Sequence, residues 1–130
     1  MFIDSSALLL TAILLGGMTF FSFGFAPVLF KQLPMEQVRP ILRGTFPYYY
    51  GAIIAVAIAA SLAAGFVSLL SWALLGVIAA STIYARQILM YQINDAADRE
   101  DKKAFGRLHG LSVVIQLIQL VLCAWALLAL

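Results

Sequence analysis

Most of the residues able to do chemistry in this chain fall on one stripe: His109, Ser112, Gln116, Gln119 and Cys123 follow a 3-4-3-4 spacing inside an otherwise apolar run. On a helix that spacing gathers all five on one face and leaves Leu, Ile and Val to cover the others. Such a face avoids lipid. It serves either as glue between helices, where a hydrogen bond contributes on average ~0.6 kcal/mol in a membrane host, or as a polar track for a substrate or a proton. His109 stands about one turn from Phe105, where an imidazole can titrate or offer a nitrogen to a metal.

Arg86 is the most informative single charge. It stands about two turns deeper than the charged segment Asn94–Lys103, on the helical side of Ala79 and Thr82, and is expected to point inward. An arginine at mid-bilayer costs ~2.5–3.5 kcal/mol on insertion scales, less near an interface, and such a residue finds a partner, marks a pathway or snorkels. Tyr48, Tyr49, Asn94 and His109 lie at similar depth and are its candidate partners, with a lipid headgroup as the alternative. The sharpest expectation is one polar cluster joining Arg86 to the His109/Ser112 face.

Metal and catalytic signals are weak. One His, one Cys and scattered Met residues have no ligand spacing for zinc, copper or an iron–sulfur cluster, and His109 and Cys123 are about 21 Å apart along a helix. A haem held by two histidines needs His109 from two subunits. No nucleophile–base pair, phosphate loop or carboxylate dyad is present. The sequence therefore offers no catalytic machinery and implies no cofactor, with a haem-binding or redox role as a lesser reading, and its charge balance carries no nucleic-acid signal. A lone cysteine excludes an intrachain disulfide.

The elements that must position these residues are apolar. Four stretches, Ser6–Phe30, Phe46–Leu70, Ser71–Met90 and Phe105–Leu130, fill almost all of the 130 residues, of which 64% are hydrophobic and 11% charged. Each approaches or exceeds the ~20 residues a helix needs to cross ~30 Å of hydrocarbon. Alternating barrel strands are absent, so the fold class is all-α: a single polytopic domain over residues 1–130, built as a four-transmembrane-helix bundle.

Charge sets the expected orientation. Lys31, Arg39 and Arg43 follow the first stretch, and Arg99, Lys102, Lys103 and Arg107 precede the last, whereas the junction Leu69–Trp72 has none. The positive-inside rule then puts both long loops in the cytoplasm and both termini outside, with a tight outer turn near Leu69–Trp72. Pro27 is expected to bend or end the first helix, and Pro34 and Pro40 to bracket about one interfacial turn. The segment Phe46-Pro47-Tyr48-Tyr49-Tyr50 suits the headgroup level, opposite an outer belt of Trp72 and Trp125.

Small residues predict the packing seams. Ala12, Gly16, Thr19 and Ala26 on the first helix, Gly51, Ala55, Ala59 and Ala63 on the second, and Gly76 and Ala80 on the third recur at spacings that let backbones approach closely. Leu14, nearly opposite Gly16, is expected to face lipid. The same seams equally suit a homodimer.

The chain resembles the transmembrane protein 205-like family, also described as domain of unknown function 4149. The resemblance rests on Pro27-Val28-Leu29-Phe30-Lys31-Gln32-Leu33-Pro34, Thr45-Phe46-Pro47-Tyr48-Tyr49, Ala85-Arg86 and His109-Gly110-Leu111-Ser112. It spans most of the chain, whose shortness suits a bacterial member in the inner membrane. What the resemblance implies is an association with tolerance of platinum compounds, a suspicion of export, and convergence of the shared segments on the cytoplasmic half.

Two functions follow as expectations. The first is a small permease-like or channel-like protein with a polar cytoplasmic vestibule around Arg86, His109 and Ser112. The second is a non-catalytic accessory subunit or lipid-binding scaffold of a larger membrane complex. Membrane lipid is the expected partner in both, with a homo-oligomer or a larger complex around it.

Overall fold

The computed structural model describes residues 1–130, almost entirely helical and without a strand. Four helices are long and apolar enough to cross a membrane: α1 (Phe2–Gln32), α2 (Met35–Ala64), α3 (Leu69–Asp98) and α4 (Lys102–Leu128). Short links make consecutive helices antiparallel neighbours, and α1 closes the ring against α4, giving an up-and-down bundle.

The first link is far shorter than expected. Only Leu33 and Pro34 are extended (ψ 150° and 153°), and α2 begins at Met35, about three turns before Phe46. Pro34 stands at the N-cap, where a missing N–H leaves no intrahelical bond unmade. Pro40 and Pro47 then lie inside α2 rather than ending a separate turn. Pro27 neither ends nor breaks α1. Just ahead of it, Phe21–Phe25 widens into a π-turn in which Ala26 N–H bonds Phe21 O. That extra residue in the turn relieves the clash a proline makes with the preceding turn.

The turn between α2 and α3 lies at Gly65–Ser68, about four residues before the position expected from the apolar runs. Capping decides it, because the Ser68 side chain accepts from Ser71 N at 3.2 Å. Gly65 fits closely there: a Cβ would stand 3.1 Å from Trp72 Cδ1, so any larger residue makes the indole shift. The last link is a Schellman turn. Asp101 N bonds Ala96 O and Glu100 N bonds Ala97 O, with Glu100 left-handed at φ 56°. Asp101 then caps α4 through Ala104 N at 3.1 Å.

The core reverses the expected register of α1. Ala7, Thr11, Leu14 and Met18 are buried, whereas Ala12, Gly16 and Thr19 are exposed. Leu14, expected toward lipid, is 1% exposed. Small residues recur at helical spacing on one face of α1 and bulky ones on another, and the bulky face wins because α2 offers Ala57, Ala60 and Ala64 to receive it in one buried cluster. Ala55 also faces outward. Gly51 and Gly76 are at helix contacts as expected, since a Cβ would meet Arg86 Nε at 4.0 Å and Ser61 Oγ at 3.8 Å.

Candidate functional site

One layer of the bundle brings together Phe21 and Ser22 of α1, Phe46, Tyr49 and Tyr50 of α2, and Ser112 and Gln116 of α4. α1 and α3 both widen into π-turns bordering this layer, at Phe21–Phe25 and Ala85–Leu89. Such turns re-aim side chains and concentrate at functional places in helical proteins. The first aims Phe21 and Ser22 inward. Phe21 stacks on Tyr49 with centroids 3.9 Å apart, and Phe46 and Tyr50 extend the aromatic group. From the second π-turn, Ala85 packs with Tyr50 in a small buried cluster.

α4 supplies the amides. Gln116 Nε2 donates to Tyr49 Oη at 2.6 Å and to Ser22 Oγ at 2.9 Å, so one side chain ties α4 to α2 and α1. One turn toward Lys102, the hydroxyls of Ser112 and Tyr50 are 3.4 Å apart. One turn the other way, the buried Gln119 donates to Ser81 Oγ at 2.7 Å and Thr82 Oγ1 at 3.0 Å on α3. Farther along, Cys123 Sγ donates to Thr11 O at 3.7 Å, and Ser71 Oγ to Ala126 O at 2.7 Å. The stripe read from sequence thus faces the interior from Ser112 to Cys123. Thr11 Oγ1 is the one buried polar side-chain atom without a partner.

His109 does not join it. The imidazole is exposed and stacks on Phe105, with centroids 5.7 Å apart and planes 3° from parallel. The start of α4 packs against the end of α3 through its other face, where Ala104, Phe105 and Leu108 are half-buried, and His109 is left outside that contact. Arg86 lies elsewhere again, in the groove between α2 and α3, with Nε donating to Pro47 O at 3.1 Å and Nη1 to Gln87 Oε1 at 2.6 Å. The expected Arg86–His109–Ser112 vestibule is therefore not assembled. Tyr48 is 82% exposed, and Asn94 is half-buried with no side-chain hydrogen bond. Of the four partners expected for Arg86, only Tyr49 enters the polar layer, and it makes no hydrogen bond to Arg86.

Tyr50, Ser22 and Ser81 escaped sequence reasoning. Tyr50 reads as one more residue of an interfacial Tyr run, and Ser22 depends on the π-turn, which shifts its facing by about one residue and has no signature beyond the nearby Pro27. At the rim, Arg43 grips Asp98 with both Nη atoms at 2.7 and 2.9 Å, joining the ends of α2 and α3. The pair is exposed on both sides, so solvent screens it and it adds orientation more than stability. No three residues among His, Cys, Asp and Glu converge on a point. The layer contains hydroxyls, phenols and amides, which orient, donate and accept, but no group suited to take up a proton at neutral pH.

A family model described as "Domain of unknown function (DUF4149)" matches residues 9–102, that is, most of α1, all of α2 and α3, and the start of α4. An uncharacterized protein of Aquifex aeolicus (strain VF5) is 32% identical over 120 residues, covering 92% of this chain and 89% of the relative. No solved structure matches.

Proposed function

The chain belongs to the DUF4149 family, and we propose that it works there as a non-catalytic, membrane-embedded scaffold or accessory subunit whose interior polar groups serve its own assembly. In this reading both termini lie on the outer side of a bacterial inner membrane and the Leu33–Pro34 and Arg99–Asp101 links lie in the cytoplasm. One observation carries it. The polar layer is largely turned on itself: Ser22, Tyr49, Gln116, Gln119, Ser81 and Thr82 each make at least one hydrogen bond within the protein, and Thr11 Oγ1 is the one fully buried side-chain oxygen or nitrogen that makes none. A conduit needs such groups free for its cargo. A scaffold needs them paired, because in lipid an unmet donor has no water to turn to.

The outward face of α1 supports the same reading. Ala12, Gly16 and Thr19 are exposed on a helix whose bulky residues point inward, leaving a surface where another helix can approach closely. Purification in mild detergent tests the proposal. The expected result is a copurifying membrane polypeptide or a second copy of the chain, with no flux of anions or divalent metals in proteoliposomes. Flux that depends on Tyr49 and Gln116 overturns it.

A permease-like function, including export of metals or toxic compounds, is the second reading. Paired π-turns bordering one layer favour it, since each lets a helix shift register without breaking.

A further inference from the structure

Arg86 is the only charged side chain between Arg43 and Asp95. No carboxylate pairs with it: the acidic partners in the chain's ion pairs are Asp4, Asp95, Asp98 and Asp101, held by the N-terminal amine, Arg99 or Arg43. Seventeen residues past Leu69, it stands about 25 Å along α3. Against ~30 Å of hydrocarbon, that is within about one turn of the far boundary. An arginine at this depth with no counter-charge is costly, and the chain itself does not relieve the cost.

The side chain is nevertheless held in place. Nε donates to Pro47 O and Nη1 to Gln87 Oε1, and Gly51 lies beside the guanidinium, whose Nε is 4.0 Å from where a Cβ would stand. Two of the five N–H donors are engaged. The other three, one on Nη1 and two on Nη2, have no protein acceptor, and the residue is only half-buried. A fixed cationic fork with unspent donors, in a groove open to the bilayer just inside its boundary, suits a phosphate oxygen pair.

We propose that Arg86, in the groove between α2 and α3 floored by Gly51, binds the phosphate of an anionic phospholipid of the adjacent leaflet. Pro47 and Gln87 act as positioning partners that fix the guanidinium plane. The lipid supplies the counter-charge that the sequence omits, and its acyl chains lie along the exposed apolar surface of α3 beside Ile83, one turn before Arg86. This inference rests only on the membrane-spanning part of the scaffold reading and holds whether or not a protein partner is found.

Native mass spectrometry of the protein from maltoside micelles containing equal phosphatidylglycerol and phosphatidylcholine tests it. The wild type is expected to retain phosphatidylglycerol, Arg86→Gln to retain at least threefold less, and Arg86→Lys to fall between them because an ammonium cannot fork. Arg43→Gln, outside the groove, is expected to match the wild type. Millimolar inorganic phosphate is expected not to displace the lipid. Retention unchanged in Arg86→Gln, or displacement by free phosphate, overturns the proposal. If Arg86→Gln fails to assemble, Arg86→Lys decides, with full wild-type retention counting against the site. Failure of the scaffold reading has a separate signature, cargo flux with lipid retention intact.

Discussion

Gln116 on α4 donates to Tyr49 Oη on α2 at 2.6 Å, and the ring it anchors stacks on Phe21 within the π-turn of α1. Three helices are thus registered through one amide and one phenol. Lipid competes poorly for such groups, so the bond fixes rotation and height of the helices more than it adds raw stability.

Tyr49→Phe and Gln116→Leu are therefore expected to destabilise the bundle modestly and non-additively. Reversible unfolding in SDS, analysed as a double-mutant cycle, should give a coupling of about 0.6 kcal/mol, the membrane average, and no more than about 1.7. A coupling of zero would show that the two side chains do not meet in the membrane.

The register of α1 makes a contrasting pair. Leu14 is buried in the core cluster, so Leu14→Ala leaves a cavity and should cost about 2 kcal/mol or more. Gly16 faces outward with nothing within 4 Å of where a Cβ would stand, and Gly16→Leu should leave the isolated bundle unchanged in the same assay. If the outward face of α1 docks a partner, that substitution instead lowers the yield of copurified complex.

Much of this fold is legible in the sequence, because apolar length alone gives four spans and a 3-4 polar stripe gives the inward face of α4 from Ser112 to Cys123. The facing of α1 is not. Ala12–Gly16–Thr19 and Ala7–Thr11–Leu14–Met18 are both good helical registers, and the choice belongs to α2, whose alanines accept bulk. Spacing within one helix cannot report the surface of another. The vestibule expected around Arg86 failed for a related reason. Equal depth does not bring side chains together: Arg86 leaves α3 toward α2, whereas His109 is exposed beside Phe105. Both π-turns also escape periodicity, since each shifts every later residue by a fraction of a turn.

Orientation is testable by cysteine labelling in sealed cells. With Cys123 buried and nearly unreactive as background, a cysteine at the exposed Gln37 is expected to resist an impermeant maleimide added outside, and one appended after Leu130 to react. The motive is the one-sided placement of Lys31, Arg39, Lys102, Lys103 and Arg107 around the two links Leu33–Pro34 and Arg99–Asp101. Labelling at Gln37 and protection after Leu130 would invert the proposed topology.

Glu100 offers a stabilising change outside the spans. It occupies the left-handed position of the Schellman turn at φ 56°, where an L-residue with a side chain is strained by ~1–2 kcal/mol. None of its side-chain atoms takes part in the turn's ion pairs, which are made by Asp95, Arg99 and Asp101. Glycine removes the Cβ clash but loses more backbone entropy on folding, a term of ~0.5–1 kcal/mol that offsets part of the gain. Glu100→Gly is thus expected to stabilise the bundle by about 0.5 kcal/mol in SDS unfolding, and Glu100→Ala to leave it nearly unchanged because the strained conformation persists. Destabilisation by glycine equal to that at a mid-helix control such as Ala97→Gly would mean that residue 100 is helical in the membrane and that α3 and α4 are joined by a different turn.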